Sequence, residues 1–386
     1  MIRLTCVDLF AGAGGATEGL RSAGFDVIGA VEVDPDAAAS YRINHPDVKL
    51  WDRDIRLLTA TGMRRDLNLN VGELTLLKAC PPCQGFSTLG PGGDSAKGSA
   101  RNDLVLDVIR FVRAFKPSAV LLENVPGLER DARFSRLQKA LSALGYQIKS
   151  FRLDAAWVGV PQRRRRLIML AIRGRRVRLP DTVSDLLGEW FTENPTTART
   201  ALEQLSSTIL EGSNLDRHRV HSPKVLARIK AIPVGGNRFD LPPEHRLACH
   251  DNLRARHATA SYGRVRLDEP APTMTTRCTT PACGSFIHPT EHRGLTLREA
   301  AAFQTFPPTY AFKGDFGSIE RQIGNAVPVR MAKALGATVR RLVQGGSAQL
   351  SDCGQSATPG PLPSRLPSTR TPVERAAARP ATSRRP

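Results

Sequence analysis

The chain has no apolar run approaching the roughly 18 residues that a membrane helix needs; its longest strong run is Leu167–Ile172. It also lacks a convincing export signal, because Asp8 interrupts the first apolar segment before any cleavage-like site. Cysteine is scarce and odd in number, at seven, which does not suit a disulfide scaffold. These absences predict a soluble, cytoplasmic protein with no membrane partner. Acidic residues are in short supply, 36 against 55 basic ones, for a net charge of +19. Lysine is rare even among the cations, with ten of those 55. A field of that sign favours a polyanion, and arginine forks suit phosphates and guanine edges. A GC-rich genome would produce the same arginine excess without function.

What is present is ordinary globular material. Hydrophobic residues at 41% and charged residues at 24% of 386 exclude wholesale disorder. The length suggests two domains, or one with an insertion. Over the first 175 residues, Arg3–Phe10, Asp26–Glu32, Leu74–Ala79, Ser118–Glu123 and Leu167–Ile172 read as strands. Between them Val105, Val108, Phe111, Val112 and Phe115 keep helical spacing, as do Leu137, Leu141 and Leu144. Such alternation predicts an α/β fold with a doubly wound, mostly parallel sheet. The rhythm fails from about Pro180 to His288 and returns at Thr296–Phe303 and Val329–Val343. Residues 346–386 hold seven prolines, six arginines and two acids with few large apolar side chains, so a disordered tail is expected there.

Four segments carry chemistry. Asp8–Gly15 ends a strand and opens a helix at Ala16, and its glycines let the backbone turn tightly and approach a ligand. Glu32, 18 residues after Gly14, stands where a carboxylate can accept from ribose hydroxyls of a dinucleotide or an adenosyl group. Ala79–Ser87 contains Cys80 and Cys83 at redox-pair spacing. The two could equally be half of a zinc site with Cys278 and Cys283, or a nucleophile and a packing residue on a strand-end loop. Leu121–Pro126 brings Glu123 and Asn124 to the end of an apolar strand, where a partly desolvated carboxyl can hold or transfer a proton. Gln162–Arg166 precedes a strand, and alternation would send Arg164 and Arg166 to one side, toward a common anion or base oxygen.

Taken in order, Val7–Leu20, Glu32–Asp34, Asp54–Ile55, Pro81–Ser87, Glu123–Pro126, Gln162–Arg166, Arg293–Pro307 and Gln322–Pro328 resemble the bacterial-type DNA (cytosine-5)-methyltransferases. The resemblance implies a Rossmann-like class I fold, S-adenosylmethionine as cofactor and double-stranded DNA as substrate. It divides the chain into a catalytic domain at 1–179, a target recognition domain at 180–290, a catalytic closure at 291–345 and the tail. Cys83 matches the family nucleophile, and Cys80 stands where the family usually has glycine, as a small packing residue. Glu123 matches the group that contacts N3 and the amino group of a flipped cytosine. Arg164 matches the residue toward the base and nucleophile loop, and Arg166 the one supporting the base O2.

Phe10, Gly12, Gly14, Glu32, Val33, Asp54, Ile55, Pro82, Asn325 and Val327 match the cofactor site. Gln84, Ser87, Arg254, Arg256, Arg264, Arg266 and Arg277 are DNA-contact candidates, and no metal is implied. The expectation is a monomer, either solitary or serving a restriction endonuclease of the same site. A tRNA cytosine-5 methyltransferase shares the catalytic motifs, a DNA-binding protein without catalysis would not need Cys83 and Glu123, and a nicotinamide enzyme would not need the later motifs.

Overall fold

The computed structural model describes residues 3–82, 102–174, 177–206, 214–248 and 261–345. Seven strands form one sheet: β1 (Thr5–Leu9), β2 (Asp26–Val31), β3 (Lys49–Trp51), β4 (Leu76–Ala79), β5 (Ala119–Asn124), β6 (Tyr146–Asp154) and β7 (Arg165–Arg173). Their spatial order is β3-β2-β1-β4-β5-β7-β6. The first five run parallel, and β7 is antiparallel to both β5 and β6. The helices are α1 (Gly15–Ser22), α2 (Pro35–Asn44), α3 (Ala60–Asp66), α4 (Leu104–Phe115), α5 (Ala132–Ala143), α6 (Val183–Leu187), α7 (Ala198–Ser206), α8 (Pro223–Ala231), α9 (Leu297–Phe303), α10 (Phe316–Asn325) and α11 (Val329–Gly345).

Successive strand residues point to opposite faces, and the sheet sorts them into two cores. Cys6, Leu76, Leu121, Leu170 and Ile172 pack with Leu20 of α1 and Met331, Leu335 and Val339 of α11. Val7, Leu9, Leu77, Leu122 and Met169 pack instead with Val108, Phe111 and Phe115 of α4 and Leu137 and Leu141 of α5. Burial on both faces explains why β1, β4 and β5 are mostly apolar, interrupted by Asp8, Lys78 and the Glu123–Asn124 end, and each large apolar side chain so buried contributes about 1.5–3 kcal/mol. The last helix reaches the first because small residues let the backbones meet. A Cβ on Gly19 would lie 2.6 Å from Ala332 Cβ, and one on Gly336 2.8 Å from Ala23 Cβ.

The structure adds β3, β6, α2, α3, α6, α7, α8 and α10 to the elements expected from the sequence. β3 is three residues long, β6 is an edge strand of mixed polarity (Tyr-Gln-Ile-Lys-Ser-Phe-Arg-Leu-Asp), and α10 is largely polar. Neither strand therefore shows a clear apolar period, whereas α10 does carry one at Phe316, Ile319 and Ile323. Within 180–290 the apolar residues serve three cores, with Leu186 and Leu187 joining the one between the sheet and α11. Ile229, Ile232, Leu241, Tyr262 and Ile287 form a small one. Ala198, Leu215, Val265, Met274 and Phe286 join Leu297, Phe303, Phe306, Ile319 and Ile323 in another.

Candidate active site

Parallel strands deliver their carboxyl ends to one edge of the sheet, and ligands bind where the strand order reverses. Here the reversal falls between β1 and β4. Phe10, Gly12 and Gly14 form the turn after β1, at φ of 61°, 58° and 98°. A Cβ on Gly14 would lie 2.6 Å from both His45 Nε2 and Tyr310 Oη, whereas one on Gly12 would meet nothing within 4 Å. Gly14 is therefore required by packing from beneath, and the surface of the turn at Gly12 is left open.

Glu32 joins two loops. Its Oε2 accepts from Gly12 N–H at 2.7 Å, and its Oε1 accepts from Val33 and Asp34 N–H at 2.9 and 2.8 Å. Burial raises its pKa, and those three backbone bonds oppose the rise. Val33 is 63% exposed. Asp54 caps the turn Ile55–Leu57 and also forks onto Arg56, which holds its pKa below the usual carboxylate range. Ile55 is buried. Val327 comes back from the far end of the chain, its carbonyl 2.8 Å from where a Gly15 Cβ would stand, while Asn325 is exposed.

The second half of the site lies at the ends of β4 and β5. Cys80 N–H donates to Leu9 O at 3.2 Å, and Asn124 Nδ2 donates to Pro81 O at 2.9 Å, so the chain entering Pro82 is held from both sides. Glu123 is buried. Its Oε1 is 2.9 Å from Arg166 Nε, and its Oε2 accepts from the Cys80 thiol at 2.8 Å. Arg166 can reach it because β7 is antiparallel. Asn124 pairs with Leu167 and Glu123 with Ile168, which puts the first residues of β7 at the edge where β5 ends.

The structure corrects two expectations about arginines. Arg164 precedes β7, is buried, and donates to the carbonyls of Met274, Gly324 and Ala326. Its described partners thus differ from those of Arg166, which faces Glu123. Arg264 is also buried, and its guanidinium donates to the carbonyls of Ile229, Ile232, His288 and Glu291 and reaches His292 Nδ1. Those bonds organise the insertion and leave it no face for DNA. Arg266 is 63% exposed and paired with Glu269, and Arg277 is exposed. Cys83, Gln84, Ser87, Arg254, Arg256 and the tail lie outside the described residues.

Against this geometry, the family model for C-5 cytosine-specific DNA methylases matches residues 4–341. The chain belongs to that family. It is 30% identical over 356 residues to the type II methylase M.HgiDII of Herpetosiphon aurantiacus, covering 88% of this chain and 96% of that one. It is 35% identical over 358 residues to the type II methyltransferase M.PspPI of a Psychrobacter strain, covering 87% and 79%. Its fold is similar to that of a prophage-encoded DNA modification methyltransferase of E. coli, with TM-score 0.62, 25% identity and coverage of 88% and 99%. It also resembles Dnmt2 of S. pombe, with TM-score 0.56, 19% identity and coverage of 89% and 99%. The class I methyltransferase fold expected from the sequence is therefore the fold of this methylase.

Two polar assemblies in this methylase were not anticipated from its motifs. Lys78 of β4 is buried and paired with Asp8 of β1 at 2.8 Å. Burial opposes its charge, but Asp8, with Cys80 and Glu123 behind it, outweighs that and keeps its pKa above the ordinary lysine value. The other oxygen of Asp8 accepts from Thr17, whose hydroxyl is 3.0 Å from Tyr41 Oη. Beneath the glycine turn, Tyr310 donates to Ala13 O at 2.6 Å and lies 3.1 Å from His45 Nε2. Burial pushes the pKa of His45 down to about 4. A lysine inside the apolar run Leu76–Ala79 was the one signal available for the first assembly. The second joins residues 265 apart, and nothing local announces it.

Proposed function

We propose that this methylase uses S-adenosylmethionine to methylate C5 of a cytosine flipped out of a specific duplex DNA word, with Cys83 as the covalent nucleophile. The observation that carries the reading is the shared edge. Glu123, clamped on one oxygen by Arg166, lies at the end of β5 next to the Asn124–Pro81 contact that holds the Pro81–Pro82 approach, at the same carboxyl-end edge of the sheet as the Gly12–Glu32 turn. The cofactor suits this turn. The surface at Gly12 is open, Glu32 has used three of about four acceptor positions, and Val33 offers an exposed aliphatic face. Phe10, Gly12, Gly14, Glu32, Val33, Asp54, Ile55, Pro82, Asn325 and Val327 would hold it, and when bound it supplies an electrophilic methyl group on a sulfonium.

C5 of cytosine is a poor nucleophile until a thiolate adds to C6 and makes it enamine-like. Cys83 performs that addition, and loss of the C5 proton after methylation lets the thiolate leave. Glu123 binds N3 and the amino group and supplies positive character to the ring as the thiolate adds. Arg166 holds Glu123 and lies toward the base O2. Arg164, bonded to the carbonyls around Gly324 and Met274, ties the Gln322–Pro328 segment to the start of β7. The target atom is stacked inside the duplex, so the base must be extruded to reach this edge.

Residues 180–290 serve as the target recognition region, and the type II relatives favour a role beside a restriction endonuclease. Cytoplasmic action as a monomer fits that role. Cys83→Ser should lower turnover by at least about 10³-fold while S-adenosylhomocysteine affinity stays within about twofold. A duplex carrying 5-fluorocytosine should form a covalent adduct mapped to Cys83. An adduct through Cys80, or undiminished turnover by Cys83→Ser, would overturn the assignment.

A further inference from the structure

We propose that Cys80 is a positioning residue that fixes the carboxylate of Glu123. The inference rests on the reading of Glu123 given above and adds a function to a side chain that the sequence suggests is mere packing. Cys80 is half-buried against the core shared by α1 and α11, so it does pack. Its thiol nevertheless points at Glu123 and donates to Oε2 at 2.8 Å, while Arg166 Nε lies 2.9 Å from Oε1. One carboxylate oxygen therefore accepts from a thiol placed directly after β4, and the other sits against the Arg166 guanidinium from β7 as an ion pair.

Holding two oxygens matters because the terminal torsion of a glutamate is broad and roughly two-fold. A carboxylate pinned at one oxygen can swing about that contact, whereas one pinned at both presents a single plane to a base. Reaction rates depend steeply on such orientation, with misplacement by about 1 Å costing up to 10²-fold. The sulfur is well placed to act as a fixed donor. Its residue is anchored by Cys80 N–H to Leu9 O and follows directly on β4, and the next peptide is held by Asn124 Nδ2 to Pro81 O. Its position is thus set by strands β1, β4 and β5. Lys78, two residues before Cys80 and paired with Asp8 of β1, adds a buried cation that interacts electrostatically with both Cys80 and Glu123.

The test compares Cys80→Ala, Cys80→Ser and Glu123→Gln in the full chain. It measures single-turnover methylation at saturating duplex and cofactor, S-adenosylhomocysteine affinity and thermal midpoint. Cys80→Ala should slow the chemical step about tenfold, with S-adenosylhomocysteine affinity within about twofold and the midpoint nearly unchanged. Cys80→Ser should recover to within about threefold of the parent rate, because its hydroxyl can replace the thiol as donor. Parent rates for Cys80→Ala, or a serine variant as slow as the alanine one, would overturn the inference. A Glu123→Gln variant at the parent rate would remove the reading of Glu123 itself. A crippled Glu123→Gln beside an unimpaired Cys80→Ala would remove the positioning role alone.

Discussion

The sheet edge and the insertion use charge in opposite ways. At the edge, charged side chains are few and stand within a frame of buried aliphatic strands, so Glu123, Arg166, Lys78 and Asp8 can be aimed at one another without carrying the fold. In the insertion the apolar core is small, built around Ile229, Ile232, Leu241, Tyr262 and Ile287, and arginine takes part of its place. Arg264 gathers four carbonyls from two segments, and nearby Arg293 bridges Glu291 and Glu299. A basic composition therefore contains two populations, one internal and one facing out, and only the second adds to the field that a polyanion meets.

The contrast can be broken most directly at two arginines two residues apart. Arg264→Ala should cost more than about 3 kcal/mol, since it strips a charged donor from several buried carbonyls at once. Arg266→Ala, which removes one exposed pair with Glu269, should stay within about 0.5 kcal/mol. Chemical denaturation of both variants checks this, and equal losses would mean that the insertion does not depend on its buried arginine.

Next in size is the acid response of the frame beneath the glycine turn. Folded His45 has its pKa lowered from 6.5 to about 4 by burial. The unfolded chain binds the proton first as pH falls, so stability declines between pH 6.5 and about 4 and then levels off. The loss from this group is about 3 kcal/mol. Denaturation midpoints of the parent should fall through that window, and His45→Gln should flatten the decline. An unchanged slope in the variant would assign acid sensitivity to other groups.

The smallest effect belongs to the exposed arginines. If Arg266 and Arg277 contact phosphates, each replacement by alanine should reduce the salt slope of log K for duplex binding by about 0.9. A slope identical to that of the parent for both would place the contacts elsewhere.

Much of the frame was legible because strands buried on both faces are mostly apolar. β1, β2, β4, β5 and β7 announce themselves in that way despite Asp8 and Lys78, and the glycine turn, Glu32 and Glu123 fall at their ends. Legibility ended where geometry depends on partners distant in sequence. The direction of β7, the 2.8 Å thiol–carboxylate contact between Cys80 and Glu123, and the pairing of Tyr310 with His45 all require the folded chain. Arg264 and Arg266 look alike in the sequence, and only packing shows that one is interior. β6 was missed because an edge strand with one half-open face can be polar along much of its length.

The reversal of β7 also decides how the insertion is leashed. Because its first residues stand beside Glu123, its last ones pair near Ala119, at the opposite rim of the sheet. The polypeptide thus departs toward the insertion from the back of the molecule, and α6 then runs against α11, where Thr338 Oγ1 donates to Leu186 O at 2.6 Å. The chain therefore enters residues 180–290 from the rim opposite Glu123 rather than from beside it.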